Sequence, residues 1–294
     1  ELLDAHFLTA ILHLIGREQQ GRPKPRGILA QLADDAGDAG RQERRDLVAQ
    51  TKSRWAQELS SLDHEDDDPG TEWNAGARRR DADLMSPRQA WRAIMQAMPQ
   101  DAIVSSDIGN NCAIGNAYPT FEEGRKYLSP GLFGPCGYGF PAIIGAKIGC
   151  PDTPVVGFAG DGAFGISMNE MTSCGREEWP AITMVIFRNY QWGAEKRNSI
   201  LWYDNNFVGT ELNPDFSFAK VAEGCGLKGV AVTTQSELTS ALKEACDAQK
   251  QGVTTFIEVI LNQELGEPFR RDAMTAPVEV AGIDPDDMKP QQPA

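Results

Sequence analysis

The stretch that most constrains this 294-residue chain runs Pro154-Val155-Val156-Gly157-Phe158-Ala159-Gly160-Asp161-Gly162-Ala163-Phe164-Gly165. Val155, Val156, Phe158 and Ala159 form a short apolar run, which predicts a buried strand. The glycines after it let backbone approach a ligand closely. A following helix would aim its unpaired N–H groups at the same point, which suits a phosphate. A bare carboxylate facing phosphate repels it, so Asp161 calls for a divalent cation between the two. The hexapeptide Gly160–Gly165 also fits the dinucleotide pattern G-x-G-x-x-G. Two features weigh against a dinucleotide. Asp161 would face the pyrophosphate, and the next apolar run, Ile182–Phe187, ends in Arg188-Asn189 rather than in an acid for a ribose. Arg188 would suit a 2′-phosphate, so NADP stays open, as does a plain strand–helix turn.

Along the chain, apolar runs alternate with helical spacings. Strands are expected at 102–106, 155–159, 182–187, 229–232 and 254–261. Helices are expected at 111–117, 141–148, 166–174, 216–225 and 237–249. Ser86-Pro87 with Gln89 reads as a helix start, as does Thr234 with Glu237. Strands separated by helices predict an α/β fold, a mostly parallel sheet with helices on both faces, whose ligands sit beyond the carboxyl ends of the strands. Residues 1–27 form an atypical N-terminal segment, apolar and then basic and proline-broken. Residues 28–86 read as linker, the end of a middle domain, with an amphipathic helix within 41–62 whose apolar positions are Leu47, Trp55 and Leu59. Residues 87–265 form the ligand-binding domain and 266–294 a Pro-rich, acidic tail.

The net charge of −14 argues against nucleic acid and anionic membrane as partners. No apolar run reaches 18 residues, and the apolar stretch 2–15 begins with acid and lacks a basic leader, so a cytoplasmic protein is expected. Six cysteines without a CxxC pair fit reduced thiols. His6, His13 and His64 all precede residue 86, which excludes imidazole chemistry from the α/β part.

Asn189 ends the strand expected beside that of Asp161. The Asp161 carboxylate, the Asn189 amide oxygen and a backbone carbonyl at Gln191 form a hard oxygen set. Two phosphate oxygens and a water would complete the octahedron that Mg²⁺ prefers. This arrangement resembles the thiamine diphosphate-binding motif, with Arg188 in place of the first of its two closing asparagines. Ser106-Asp107-Ile108-Gly109-Asn110-Asn111 stands at a strand end, where such enzymes contact the diphosphate. Gly134-Pro135-Cys136-Gly137-Tyr138-Gly139-Phe140-Pro141-Ala142 resembles the GxMGxGxPAA segment of acetolactate synthase-like enzymes. In that segment the position of Cys136 holds a larger side chain that bends thiamine.

Longer stretches, 105–125, 187–198, 201–212 and 262–272, resemble the sulfoacetaldehyde acetyltransferases within that family, and the likeness runs from about Ile28 to the C-terminus. It implies thiamine diphosphate and Mg²⁺ as cofactors, with Asp161, Asn189 and Gln191 on the metal. It implies cofactor contacts at Asp107, Gly109, Asn110, Gly134, Pro135, Cys136, Tyr138, Gly160, Asp161, Gly162, Ala163, Asn189, Gln191 and Trp192. The implied reaction converts sulfoacetaldehyde and phosphate to acetyl phosphate and sulfite, in a homodimer or homotetramer. The family's activating glutamate sits on a more N-terminal domain, and neither Glu170 nor Glu195 holds its position. No catalytic residue is therefore expected here, and the chain reads as a C-terminal portion. Two other readings stay open, an acetolactate synthase-like carboligase and a non-catalytic cofactor-binding fragment. Arg188, Lys196 and Arg197 are candidates for the substrate anions; the alternative is pairing with Glu195, Asp204 or Glu211. Trp192, Trp202 and Tyr203 would wall the site or pack in the core.

Overall fold

The computed structural model describes residues 38–62, 84–121, 126–131, 133–203 and 205–265. The segments 1–27 and 266–294 and the three histidines lie outside them. The chain divides into two compact units, Glu1–Glu65 and Asp66–Ala294. In the first, α1 (Asp38–Leu62) is a single helix, and Leu47 and Trp55 from its expected apolar stripe are exposed. Leu59's side chain lies outside the description.

In the second unit the order is α2 (Pro87–Ala97), β1 (Ile103–Ser106), α3 (Asn110–Gly115), β2 (Tyr127–Leu128), α4 (Gly139–Gly149), β3 (Val155–Gly160), α5 (Asp161–Ser167) and α6 (Met171–Cys174). Then come β4 (Thr183–Arg188), α7 (Gly193–Trp202), α8 (Phe218–Gly224), β5 (Lys228–Val232), α9 (Gln235–Ala248) and β6 (Thr255–Ile260). The six strands form one sheet in the order β2-β1-β3-β4-β6-β5, and every pair is parallel. Both expected capping boxes are present, Ser86 with Gln89 and Thr234 with Glu237.

Alternation along the strands separates two cores. Val156, Phe158, Val185, Phe187, Ile257 and Val259 pack with Trp91 and Leu242 on one face. Val155, Ala159, Met184, Ile186 and Phe256 pack with Phe140, Phe164 and Phe218 on the other. This double burial explains why the strands read as continuous apolar runs rather than as alternating ones. Trp91 also positions α3. Its indole N–H donates to the Asn111 carbonyl at 2.9 Å, and a Cβ at Gly115 would lie 2.1 Å from its ring.

Two elements carry no expectation from the pattern. The edge strand β2 is two residues long, too short for a period. The helix α7 follows the loop 189–192 without an apolar stripe. A third difference lies in the opening stretch: α5 begins at Asp161 itself, so the first two glycines flank the helix start and the third lies inside it. No helix among the described residues is long and apolar enough to cross a membrane, and all six cysteines are free thiols.

Candidate cofactor site

The carboxyl ends of β1, β3 and β4 lie side by side, which gathers Asp107, Asp161 and Asn189 at one edge of the sheet. Asp161 is 2% exposed. One carboxylate oxygen accepts the Gly162 N–H at 2.9 Å; the other accepts the Tyr190 N–H at 2.7 Å and Arg188 Nη1 at 3.3 Å. Burial pushes the Asp161 carboxyl up to about 6, against the opposing pull of the Arg188 charge and of those N–H groups.

Tyr190 has a φ of 61°, a left-handed conformation that costs a non-glycine residue about 1–2 kcal/mol. The turn persists because it is held at both ends. The Tyr190 N–H reaches Asp161, and the Tyr190 carbonyl accepts the Leu212 N–H at 2.8 Å. Trp192 N–H then donates to the Thr210 carbonyl at 2.8 Å, so Gln191 pairs with Glu211 in an isolated antiparallel bridge. Those bonds come from the neighbours of Gln191 and leave its own backbone groups out of the bridge.

Beside Asp161 the Asn189 side chain is 1% exposed, and neither its amide oxygen nor its amide nitrogen has a partner. The Gln191 side-chain oxygen is buried without a partner as well. A buried polar atom left unpaired costs about 1–3 kcal/mol, so these orphans mark a place built for a group that uses them. Space is present too: a Cβ added at Gly160 would meet nothing within 4 Å. A cleft of about 200 Å³ lies here. It is lined by Gly109, Asn110, Gly134, Cys136, Gly160, Asp161, Gly162, Ala163, Asn189, Gln191 and Trp192 of the expected set, with Ile108, Asn111, Gly193, Ala194 and Glu195 besides.

The donor set is oxygen-rich and fits a hard divalent cation. No three His, Cys, Asp or Glu side chains cluster as a metal nest among the described residues. A cation here would draw on one carboxylate, an amide, backbone and ligand oxygens, which is how Mg²⁺ is usually held.

The other expected residues divide. Asp107 is buried with its oxygens spent on backbone: they accept the N–H groups of Ile108 at 2.8 Å, Gly137 at 3.0 Å and Gly139 at 2.6 Å. Burial raises its pKa, partly offset by those bonds. It braces the loop that carries Cys136 rather than facing the cleft, and Pro135 and Tyr138 stand in that loop without lining the cleft. Burial raises the Cys136 thiol, a neutral and modest side chain where the resembling enzymes hold a larger one. Gly162 lies against Trp192, whose ring would be 2.7 Å from a Cβ there, so Trp192 walls the site. Tyr203 is exposed, and Trp202's side chain lies outside the description.

The basic residues differ from their expected exposure to substrate. Arg188 is fully buried. Beyond Asp161, its Nε lies 3.5 Å from Glu258, its Nη2 donates to the carbonyls of Asn213 at 2.6 Å and Phe216 at 3.3 Å, and Tyr190 and Phe216 face its guanidinium at 4.4 and 4.6 Å. It is a clasp between two carboxylates, closed to an incoming anion. Lys196 is buried and donates to Glu211 at 2.6 Å, the pairing weighed as its alternative. Arg197 donates to the Asn110 side chain and the Leu265 carbonyl, and burial lowers its pKa.

Known proteins bear on this geometry. Residues 107–259 match the family described as thiamine pyrophosphate enzyme, C-terminal TPP binding domain. A probable sulfoacetaldehyde acetyltransferase of Rhizobium meliloti is 75% identical over 265 residues, 90% of this chain and 45% of that protein. A sulfoacetaldehyde acetyltransferase of Roseovarius nubinhibens is 71% identical over 90% of this chain and 44% of its own length. The chain thus spans less than half the length of these relatives. Among solved structures, the thiamine diphosphate-dependent 4-hydroxybenzoylformate decarboxylase of Rhodococcus jostii superposes with a TM-score of 0.55 at 28% identity, over 60% of this chain and 33% of that one.

Proposed function

Because this chain belongs to the thiamine pyrophosphate enzymes, through their C-terminal TPP binding domain, we propose that its cleft takes up thiamine diphosphate together with Mg²⁺ and serves sulfoacetaldehyde acetyl transfer. The substrates of that reaction are sulfoacetaldehyde and phosphate, and its products are acetyl phosphate and sulfite. The observation that carries the site is the orphaned Asn189 amide beside buried Asp161 and Gln191. The observation that carries the reaction is the identity to the acetyltransferases.

Asp161, the Asn189 amide oxygen and the Gln191 backbone carbonyl would hold the cation. The open backbone at Gly160 and the residues Gly109 and Asn110 would admit the diphosphate. The bound cofactor supplies the nucleophilic carbon and the electron sink for acyl transfer. The protein's part is to bind and orient it, with Trp192 closing one wall against water and Asp107 keeping the Cys136 loop in place. Neither Glu170 nor Glu195 holds the position of the family's activating glutamate, so that group would come from another part of the assembly, a homodimer or homotetramer. Of the three basic candidates for a substrate anion, Arg197 beside Asn110 keeps the place best suited to that role.

Calorimetry of thiamine diphosphate with and without Mg²⁺ tests the site, and Mg²⁺-dependent binding is expected. Sulfite release from sulfoacetaldehyde and phosphate by the protein carrying this chain tests the reaction. Condensation of pyruvate to acetolactate without sulfite release would move the reading to a carboligase. Binding without either turnover would leave a cofactor-holding module.

A further inference from the structure

The loop that carries Asn189 and Gln191 is gripped from two sides. Residues 210–212 hold one side by backbone pairing. The other side meets the segment 261–265 that leaves β6, a stretch outside every cofactor motif in the sequence. Its central residue is Gln263, 5% exposed. The Gln263 Nε2 donates to the Asn189 backbone carbonyl at 3.3 Å and to the Glu211 carboxylate at 3.0 Å. Its own backbone carbonyl accepts the Gln191 Nε2 at 3.1 Å. One residue therefore touches both Asn189 and Gln191, through atoms other than those assigned to the cation.

We infer that Gln263 is a positioning residue for the cation end of the cofactor site. The inference rests on the reading of Asp161, Asn189 and Gln191 as the cation's ligands. The Asn189 amide has no side-chain partner of its own. Its aim is therefore set by its backbone, and Gln263 grips that backbone at the carbonyl. The bond to Gln263 likewise ties the Gln191 amide nitrogen to the segment 261–265, which acts as a strap over the loop. The strand register needs no help from Gln263, since the β4–β6 ladder already extends to Arg188 and Ile260 and the Leu261 N–H donates to the Arg188 carbonyl at 2.9 Å. Neighbouring bonds keep the strap itself in place. The Asn262 N–H donates to the Met85 carbonyl at 3.1 Å, and Arg88 pairs with Glu264 at 2.9 Å.

Gln263→Met keeps the length of the side chain and removes its donor. Outer partners of metal ligands are typically worth 10–100-fold in metal affinity. The Mg²⁺ concentration for half-saturation, measured by calorimetry at saturating thiamine diphosphate, should rise about tenfold by that measure. The dissociation constant of thiamine diphosphate at saturating Mg²⁺ should change by less than about twofold, because that contact does not involve the lost donor. Gln263→Lys, which restores a donor near Asn189 and Glu211, should recover most of the Mg²⁺ affinity. Equal weakening of both affinities, with a matching loss of melting temperature in the cofactor-free protein, would assign Gln263 a structural role and overturn the inference. So would an unchanged Mg²⁺ requirement in Gln263→Met. A parent protein that binds thiamine diphosphate with no Mg²⁺ dependence would refute the cation site itself, and the positioning role with it.

Discussion

Asp107 and Asp161 occupy equivalent places, each the residue just past the end of a buried parallel strand, on neighbours β1 and β3. Both are buried, and burial raises both pKa values. Their partners differ. The Asp107 oxygens are filled by three backbone N–H groups, two of them from a loop about 30 residues away in sequence. Asp161 shares its oxygens with Arg188 and two N–H groups, and the atoms next to it, both ends of the Asn189 amide, are unsatisfied. A carboxylate in a fully satisfied shell braces a fold; one beside orphaned acceptors and open space is prepared for a ligand. Charge points the same way. Arg188 sits between Asp161 and Glu258, one cation for two acids, and a divalent ion at Asp161 would correct the imbalance.

The largest effect expected from this contrast lies on the bracing side. Asp107→Ala strips the acceptor from the Ile108, Gly137 and Gly139 N–H groups at once. Each buried donor left unpaired costs about 1–3 kcal/mol, so a loss of at least about 3 kcal/mol is expected in chemical denaturation. Gly139→Ala should fail similarly, since its Cβ would meet the Phe158 carbonyl at 2.8 Å and the Asp107 amide at 2.9 Å. An Asp107→Ala protein that melts like the parent yet loses thiamine diphosphate would invert the two roles.

On the ligand side, Asp161→Asn removes the charge and keeps one acceptor oxygen, enough for either the Gly162 or the Tyr190 N–H but not both. Its Mg²⁺-supported affinity for thiamine diphosphate should fall at least about 100-fold, the upper range for a lost supporting partner. Its folding stability should fall by about 1–3 kcal/mol, the cost of the one buried N–H left facing the amide nitrogen, which is less than the loss expected for Asp107→Ala. Denaturation and calorimetry on the same preparation separate the two effects.

Much of this contrast is legible in the sequence, and its limits have physical causes. The strands β3, β4 and β6 are readable because burial on both faces makes them unbroken apolar runs. Asp161, Asn189 and Gln191 are readable because a strand end is a place that spacing defines. The burial of Arg188 was also within reach: Met184, Ile186 and Arg188 alternate onto one covered face, which points the guanidinium into the core side. The bracing role of Asp107 and the strap role of Gln263 were not within reach. Apart from the adjacent Ile108 N–H, their partners lie 30 and more residues away, and hydrogen bonds of that kind leave no periodicity in the chain. The helix α7 escaped for a related reason, because its buried face includes Lys196, whose partner Glu211 comes from a later loop.

Glycines carry the same comparison at smaller amplitude. Gly160 has φ −71° and ψ 160°, which any residue adopts, and its Cβ would point into open space. Gly160→Ala should therefore fold as the parent does. The methyl would occupy room meant for the cofactor, and an overpacked contact of about 1–3 kcal/mol predicts roughly a tenfold loss of thiamine diphosphate affinity. Unchanged affinity would place the diphosphate elsewhere along the edge.

The mildest prediction concerns pH. In the cofactor-free fold Asp161 holds its proton up to about 6, above the 3.8 of an exposed carboxyl. Between those values the unfolded chain has released a proton that the fold keeps, so this group's contribution to stability falls as pH rises through that window and is level above it. Asp107, raised in the same direction, adds a fall of the same sign. Cation binding runs the other way, because it needs the ionised carboxylate. Mg²⁺ affinity should be level above pH 7, lower by about twofold at pH 6, and lower by about tenfold at pH 5. The terminal phosphate of the cofactor titrates in a similar range, so the informative quantity is the difference between the parent and Asp161→Asn. All three histidines precede residue 86, which keeps imidazole titration in the α/β part of the chain from blurring that difference. If the profiles of the two proteins run parallel from pH 5 to 7, the cation does not depend on the Asp161 charge, and the two strand-end carboxylates play the same part.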